Sequence, residues 1–434
     1  MNNMSVVSLG EFFSHAITGE WGAEPTGFND VIVFRAADFT KDCQLRLDGG
    51  VPREISPSKL KTRRLEKNNI LIEKSGGSPD QPVGRAVLYE PQNEEQAAVC
   101  SNFIQKMIVK DCYDPSFVYY LLLFLYQKNA TLPYQQQTTG IINLKLDEYL
   151  NFQINTYLDQ SIQRKISSVL RSIDQQITLT RAHIKKNFLL KQGMMSDLFS
   201  CGIDSKTGKL RPRAKDAPEF YKNTPLGRLP REWRIEKFCH WLHTIDQGWS
   251  PNCESDITPH GDWGVLKTTA VTWQGYSSSE NKALPKSLIA RPQYEVKMGD
   301  VLMTRAGPNN RVGVVAYVGK TQKRLMLSDK LYRINVKMEL SPFFTSLMLS
   351  SYYIQSQLEK NKTGLAESQS NISQEIIKNL WVIVPEHQEQ KLIEEAITSL
   401  NMVQEKENLN LVKLVQQKSG LMQDLLTGKV PVSA

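Results

Sequence analysis

The most regular pattern of apolar and polar residues runs from Asn155 to Phe199. Its apolar positions recur at steps of three, four or seven residues, at Ile162, Ile166, Leu170, Ile173, Ile177 and Ile184. This spacing puts them in one narrow stripe on a helix, with polar side chains over the rest of the surface. A narrow stripe is typical of a coiled-coil seam. At 1.5 Å per residue the helix would be roughly 65 Å long, so it needs a partner helix to cover the stripe.

The predicted partner is a second copy of this pattern near the C-terminus. At a constant separation of 227 residues, Gln163 aligns with Gln390 and Lys191 with Lys418. The copies end alike, in "KQGMMSDLFSCG" and "KSGLMQDLLTGK". Two unrelated amphipathic helices would share seam positions but not Lys-x-Gly-x-Met-x-Asp-Leu, which favours duplication. The predicted seam consists of Ile166, Leu170, Ile173, Ile177, Ile184, Ile393, Ile397, Leu400 and Leu411.

Each long helix follows a mixed segment in which the same signals recur. "LIEKSGGSPDQPVGRAVLY" and "LMTRAGPNNRVGVVAYV" both indicate strand, Gly/Pro-rich loop and strand. "DPSFVYYLLLFLYQKN" (114–129) and "SPFFTSLMLSSYYIQSQLEK" (341–360) both indicate a single apolar helix that starts at a proline. The sequence therefore predicts a mixed α+β fold: two α/β globules alternating with two long helices that pair as an antiparallel coiled coil, with pseudo-twofold internal symmetry. The predicted boundaries are globule 1 at 1–154, a central helix at 155–201, a linker at 202–233, globule 2 at 234–388 and a C-terminal helix at 389–434.

Composition and charge narrow the class of protein. The chain has 434 residues, a net charge of +8 and a pI of about 9.0, which favours an anionic partner and nucleic acid first. Six cysteines without a CxxC pair indicate reduced thiols and a cytoplasmic location. The most apolar run, 117–126, is too short to span a bilayer, so no membrane association is expected.

The motifs of the common enzyme classes are missing from the sequence. There is no GxxxxGK[ST] loop for ATP and no Gly-rich loop paired with the tetrapeptide of S-adenosylmethionine-dependent methyltransferases. A nuclease-like carboxylate and lysine occur only as the isolated pair Glu295 and Lys297. The chain is therefore predicted to be non-catalytic and to use no cofactor. A group of zinc-ligand types has no standard spacing, so no metal site is predicted from Cys239, His240, His243, Cys253 and His260.

Binding remains, and the Gly-rich loops are the candidates for contact with DNA. Glycine lets backbone approach a groove closely, arginine can pair with guanine and asparagine with adenine. The other interpretation, ordinary exposed turns, is equally open, because Gly-Gly and Pro-Asn-Asn are also turn chemistry. Basic residues outside these loops are candidates for phosphate contact or simply solvated. The predicted DNA-binding residues are Arg63, Arg64, Lys74, Arg85, Lys267, Arg305, Asn309, Asn310 and Arg311.

The pattern resembles the specificity (S) subunit of type I restriction-modification systems. The resemblance is carried by the two helix ends quoted above and by "NTPLGRLPREW" at 223–233, which is similar to the family's lead into its second recognition domain. It implies that the globules are target recognition domains, each reading one half of a split sequence in double-stranded DNA. It also implies that the helices set the spacer and dock methyltransferase subunits, expected in two copies, through which restriction subunits join in phage defence.

Two other classes of protein stay open at the level of sequence. One is a fused restriction-modification enzyme, against which the missing catalytic motifs argue. The other is a coiled-coil adaptor that binds only proteins. Two similar but divergent globules argue against the adaptor, because a spacer would not need them.

Overall fold

The computed structural model describes residues 4–28, 30–78, 81–91, 93, 95–138, 140–253, 256–364 and 369–432. It divides into two compact units. Unit 1 comprises Met1–Ala182 and Asn408–Ala434, and unit 2 comprises His183–Glu407.

Unit 1 alternates short strands with helices. Its strands are β1 (Met4–Ser8), β2 (Phe13–Thr18), β3 (Val31–Phe34), β4 (Val51–Arg53), β5 (Ile70–Glu73), β6 (Ser75–Gly76), β7 (Ala86–Leu88), β8 (Ala98–Cys100), β9 (Ile104–Val109), β10 (Gln135–Thr138), β11 (Ile141–Leu144) and β12 (Gln153–Tyr157). Its helices are α1 (Pro57–Arg63), α2 (Pro115–Gln127), α3 (Leu146–Leu150) and the first part of α4 (Gln160–Ser200).

The centre of unit 1 is an antiparallel four-stranded sheet with the order β2-β9-β5-β7. All four residues of β5 are buried, as the continuous apolar run Ile-Leu-Ile predicts for a central strand. Helix α2 packs its buried residues into the same core. It starts at an Asp-Pro pair, where the Asp114 carboxylate accepts a hydrogen bond from the Phe117 N–H at 2.8 Å.

The described residues of unit 2 form fifteen further strands, the second part of α4 and further helices. The strands are β13 (Tyr221–Thr224), β14 (Gly227–Pro230), β15 (Arg234–Lys237), β16 (Leu242–Gln247), β17 (Gly264–Leu266), β18 (Val271–Thr272), β19 (Gly275–Tyr276), β20 (Asn281–Ala283), β21 (Val301–Thr304), β22 (Ala306–Gly307), β23 (Val315–Tyr317), β24 (Leu325–Met326), β25 (Leu331–Val336), β26 (Ser370–Asn371) and β27 (Trp381–Val384). The helices are α5 (Pro342–Leu349), α6 (Tyr352–Asn361), α7 (Gln374–Lys378) and α8 (His387–Leu426), of which Asn408–Leu426 belongs to unit 1.

The strand pairing of unit 2 repeats that of unit 1. The sheet β16-β25-β21-β23 has the pairing of β2-β9-β5-β7, including an irregularity near the start of the first strand. In a second sheet of each unit, the central strand has one antiparallel and one parallel neighbour: β4-β3-β8 and β20-β17-β24. The predicted duplication is therefore visible in the order and pairing of the strands.

Equivalent glutamines fix the start of each long helix. In unit 1, buried Gln163 accepts a hydrogen bond from the Asp114 N–H and donates one to the Tyr157 carbonyl, both at 2.8 Å. In unit 2, buried Gln390 accepts from the Ser341 N–H at 3.0 Å and donates to the Pro385 carbonyl at 2.9 Å. Each amide joins the long helix to the start of the apolar helix and to the chain that leads into the long helix.

Two segments differ from the expectation. The predicted linker contains the hairpin β13–β14. Arg211, which precedes this hairpin in the linker, is buried beside Glu389, and one guanidinium nitrogen lies 3.0 Å from the Glu389 carboxylate. The single helix expected over 341–360 is two helices, α5 and α6. The break falls at Ser350 and Ser351, and the Ser350 hydroxyl donates to the Ser346 carbonyl at 2.8 Å. Serine side chains that bond nearby backbone compete with the helix, which accounts for the break.

Within the part of the chain that the structure describes, no helix is both long and apolar enough to cross a membrane.

Candidate nucleic-acid interface

In unit 1, the basic segment around Arg63 and Arg64 forms helix α1 and its C-terminal end. The Arg63 guanidinium donates to the Thr18 carbonyl at 3.0 Å and lies 3.4 Å from the Glu20 carboxylate. A hydrogen bond from Lys59 to Glu20 holds the pKa of that carboxyl below its usual value. The Arg64 side chain is exposed at the end of the helix. Of this pair, Arg63 is therefore engaged with its own unit and Arg64 faces solvent.

A buried lysine holds the C-terminal end of α1. Lys106, in the middle of β9, is 5% exposed, and its ammonium donates to the carbonyls of Thr62 at 3.2 Å and Arg64 at 2.9 Å. Burial lowers the pKa of Lys106. A cation at the last carbonyls of a helix stabilises that end. Lys106 therefore positions the basic segment without being part of its surface.

Unit 2 has a cation in the equivalent strand position. Lys106 faces Leu71 across β9 and β5, and Arg333 faces Leu302 across β25 and β21. Arg333 donates to the carbonyls of Glu295 and Gln293 at 3.0 and 3.1 Å, and it lies 2.9 Å from the Asp246 carboxylate. Neither cation was predicted from the sequence. The available signal was a single cation inside otherwise apolar strands, "IQKMIV" and "LYRINV", at matching places in the repeat.

The Gly-rich loop of unit 1 separates its two predicted DNA contacts. Lys74 precedes β6 and is half-buried, and the described residues offer its ammonium no ion pair. Arg85 is 5% exposed, and its guanidinium donates twice to the Glu73 carboxylate, at 2.9 and 2.8 Å. It also donates to the carbonyls of Phe39 and Ala36, both at 3.0 Å. The guanidinium of Arg85 is therefore hydrogen-bonded inside unit 1 and is not placed to contact DNA. Pro79 and Asp80 of this loop lie outside the described residues.

The corresponding loop of unit 2 starts at the same kind of glycine. Gly76 and Gly307 have φ angles of 130° and 146°, a backbone conformation that residues other than glycine rarely adopt. Beside them, strands β6 and β11 pair as do β22 and β26. Arg305 reaches the Asn371 side-chain oxygen with Nη2 at 3.3 Å, and its guanidinium lies 5.3 Å from the centre of the Tyr332 ring.

The tip of the unit 2 loop carries the other predicted contacts. The Asn309 amide is occupied: it donates to Glu359 at 3.0 Å and accepts from Ser370 at 3.1 Å. Asn310 next to it is exposed. Arg311 Nη2 donates to the backbone carbonyl of Thr268 at 3.4 Å, and Thr268 directly follows Lys267 in the chain. The Nε atom of Arg311 is buried without a partner among the described residues.

These positions define what each unit can offer to DNA. In unit 1 the candidate side chains are exposed Arg64 and half-buried Lys74, and in unit 2 they are exposed Asn310 and half-buried Arg311 and Lys267. Lysine and arginine suit phosphate oxygens, and an exposed asparagine amide can pair with a base edge. The carboxylate of Glu295, the one nuclease-like position of the sequence, accepts a hydrogen bond from the Arg324 N–H at 2.7 Å and so has a structural contact.

The seam of the long helices is buried within each unit. In unit 1, four predicted residues are at most 5% exposed: Ile166, Leu170, Ile173 and Ile177. They pack with Leu414, Met422 and Leu426 of α8 and with partly buried Leu411. In unit 2, Ile393 and Ile397 are fully buried, beside partly buried Leu400. Ile184 is half-buried. The helices pair as predicted.

Metal-ligand side chains do not gather in either unit: the described residues contain no group of three that could hold an ion. Cys239, His240 and His243 are exposed, and Cys253 is half-buried.

Comparisons with known proteins agree on one family. The profile of the "Type I restriction modification DNA specificity domain" matches residues 3–187 and 259–413. The specificity subunit of the Escherichia coli type I restriction enzyme EcoEI is 43% identical over 182 residues, which is 42% of this chain but only 30% of that protein. The specificity subunit of the Methanocaldococcus jannaschii enzyme MjaVIII is 23% identical over 325 residues, 72% of this chain and 70% of that protein.

Solved structures share the fold over nearly the whole chain. The S subunit of a type I restriction-modification system from M. genitalium has a TM-score of 0.53 at 13% identity and covers 100% of this chain and 97% of its own. A chain from a structural study of complex assembly and conformational transition in the type I system has a TM-score of 0.57 at 15% identity, covering 99% and 98%.

Proposed function

Because the chain belongs to the type I restriction-modification DNA specificity family, we propose that it is the sequence-recognition subunit of such a complex. It reads a split target in double-stranded DNA with two recognition domains. It performs no chemistry itself and directs the methyltransferase subunits that do. The observation that carries the proposal is the family match over both halves of a chain whose two units repeat the same sheet pairing.

We place the recognition domains at 1–154 and 234–388. The helical regions are 155–201 and 389–434, and the linker is 202–233. We assign the reading of DNA to exposed or half-buried polar side chains in and beside the two loops and at the end of α1. Arg64 and Lys74 serve the first half-site, and Lys267, Asn310 and Arg311 serve the second. Arg63, Arg305 and Asn309 hold these elements in shape, and Arg85 is left out because it is buried in an ion pair.

The helices supply the docking surface for the methyltransferase. In unit 1, apolar side chains of α4 and α8 outside the seam are exposed by 45 to 59%: Val169, Leu179, Leu409, Val412 and Val415. Exposed apolar side chains along one surface mark protein contacts. We propose two docked copies, with restriction subunits joining through them in the cytoplasm. The same surface is what a pure adaptor would use, so the DNA experiment below decides between the two classes.

The decisive experiment is methylation mapping. The chain is co-expressed with the methyltransferase encoded beside it, and modified adenines are read across the host genome. We expect a motif of two short half-sites separated by unread bases. Co-purification without any motif would support the adaptor class instead.

A domain exchange tests the assignment of one half-site to each domain. Residues 1–154 are replaced by the same region of a relative with a different target. One half-site should change and the other should stay, because each domain reads independently. A simultaneous change of both half-sites would contradict the two-reader arrangement.

A further inference from the structure

Two lysines at equivalent places of the repeat have different surroundings. Lys418 on α8 and Lys191 on α4 are separated by the repeat distance of 227 residues. In unit 1, the Lys418 ammonium lies 2.7 Å from one Asp174 oxygen and 3.0 Å from the other. It also lies 5.4 Å from the centre of the Tyr120 ring, and the Tyr120 hydroxyl donates to Asp174 at 2.8 Å. The unit's own carboxylate therefore neutralises Lys418.

In unit 2 the partners of the lysine have been replaced. The residue equivalent to Asp174 is Asn401, and the one equivalent to Tyr120 is Leu347. Neither can carry the negative charge that Asp174 provides. Lys191 is half-buried, has no ion pair among the described residues, and burial lowers its pKa. A half-buried ammonium without a counter-ion is only partly solvated, so a carboxylate from outside the chain would be the matching partner at this position.

Lys191 lines a cavity of unit 2 with a volume of about 990 Å³. Among the described residues that line this groove, Lys191 is the one charged side chain, and no Asp or Glu is present. The counterpart in unit 1, about 580 Å³, is lined by Glu90, Arg171 and Asp174. The unit 2 groove is therefore larger and has lost the carboxylates of its counterpart.

A buried hydroxyl lies at the wall of this groove. Ser351 lines the groove and is 5% exposed, and its hydroxyl has no partner among the described residues. The oxygen atom itself has almost no accessible surface, so an occupant of the groove does not reach it in this conformation. Lys191 is therefore the charged group that the groove offers to an occupant.

The walls of the groove suit a protein segment. Aromatic side chains remain exposed there: Tyr352 by 80%, Trp273 by 48% and Phe188 by 36%. The same stretches of the two long helices carry further exposed apolar residues, at Leu189, Leu190, Met194, Met402 and Val403. An open groove with exposed aromatic walls beside two helices suits an amphipathic helix better than a small molecule.

We propose that this groove binds an amphipathic helix of the methyltransferase subunit through an Asp or Glu carboxylate that pairs with Lys191. The inference rests on the proposed function, because it names how that partner is held. It adds an asymmetry: in unit 1 the equivalent lysine is satisfied internally, so the two docked copies are held by different contacts.

The test compares variants of the full chain by their affinity for the methyltransferase. Lys191→Met removes the cation, and Asn401→Asp supplies an internal carboxylate like that of unit 1. Each should weaken the complex by about tenfold or more, as expected for a charge-assisted hydrogen bond. Lys186→Met is the matched control, an exposed lysine on the same helix, and should bind as the wild type does. Unchanged affinity of all variants for DNA shows that each is folded.

Zero-length crosslinking identifies the carboxylate. A carbodiimide activates the partner's Asp or Glu, the Lys191 amine attacks, and an amide forms as the urea leaves. Mass spectrometry should find Lys191 joined to an acidic residue of the methyltransferase, and Asn401→Asp should abolish this product.

If wild type, Lys191→Met and Asn401→Asp bind the methyltransferase equally well, the groove assignment is wrong while the proposed function stands. If Lys191→Met loses DNA affinity but keeps the methyltransferase, the groove binds phosphate and the assignment is also wrong. If the wild-type chain binds no methyltransferase, both proposals fail.

Discussion

The buried pair of Arg85 and Glu73 allows a direct separation of structural from DNA-binding roles. Their side chains are 7% and 1% exposed, and the guanidinium makes two hydrogen bonds to the carboxylate and two to backbone carbonyls. Arg85→Leu leaves the carboxylate buried without a partner. Breaking such a pair from one side costs about 3–5 kcal/mol. In a unit of this size, each kcal/mol of destabilisation lowers the melting temperature by about 2–4 °C, so Arg85→Leu should lower it by on the order of 10 °C.

The assay has to report on unit 1 alone, because a chain of two units need not unfold in one transition. Hydrogen exchange of the β5 amides serves this purpose, since β5 is the buried central strand that contains Glu73. Exchange should accelerate by about two orders of magnitude or more in Arg85→Leu, which is the population effect of 3–5 kcal/mol. The double variant Glu73→Leu with Arg85→Leu should recover much of the protection, because no charge is left buried.

The control is Arg64→Leu, an exposed arginine of the same unit. It should leave exchange unchanged and weaken DNA binding, with a smaller dependence of affinity on salt, because a phosphate contact is lost. If Arg85→Leu instead kept its protection and lost affinity for one half-site, Arg85 would be a DNA contact and the structural argument would be refuted.

Three further outcomes are expected. Ile173→Asp places a charge at a 5% exposed seam position, so it should weaken helix pairing and, on gel filtration, methyltransferase docking. Gln176→Asp, at an exposed position of the same helix outside the seam and outside the proposed docking residues, should leave both intact, and equal behaviour of the two variants would contradict the seam. Gln390→Leu leaves the Ser341 N–H unpaired and should destabilise unit 2 by about 1–3 kcal/mol. The measurement is hydrogen exchange at the start of α5, which should become faster. Unchanged hydrogen exchange would show that the Gln390 amide is dispensable. A hydrogen bond from Lys59 holds the pKa of Glu20 below its usual 4.5 in the folded protein. The ionised carboxylate therefore adds stability that is fully present above pH 4.5 and is lost as the pH falls through the lowered pKa. Glu20→Gln should flatten the acid side of a plot of unfolding free energy against pH, and an unchanged plot would argue against this contact.

The long helices and the repeat could be predicted because their signals are local and periodic. The spacing of Ile166, Leu170, Ile173 and Ile177 determines a buried stripe whatever the partner is. The apolar run of β5 likewise marks a buried strand without knowledge of its neighbours. The break within the helix expected over 341–360 was harder to predict, because it depends on the Ser350 side chain competing for one backbone carbonyl.

The roles of the basic residues could not be predicted, because they are set by partners distant in sequence. Arg85 and Arg64 look alike in the sequence, yet one is buried against Glu73 and the other ends a surface helix. Asn309 and Asn310 are neighbours, and only the first has its amide occupied by Glu359 and Ser370. From residue type alone, all of these residues are equally good candidates for DNA contact. Only the tertiary contacts separate those that are engaged inside the protein from those that are exposed.

Comparing the two copies recovers part of what a single copy hides. Lys106 and Arg333 occupy the same strand position, and each donates to two backbone carbonyls of a neighbouring segment, so both copies use a cation here to hold that segment. Lys418 and Lys191 occupy the same helix position, but only Lys418 retains a carboxylate partner. The two copies thus serve as controls for each other. Where both use a cation for the same kind of contact, the residue serves folding, and where one copy lacks the carboxylate that the other places beside its lysine, a contact outside the chain can supply it.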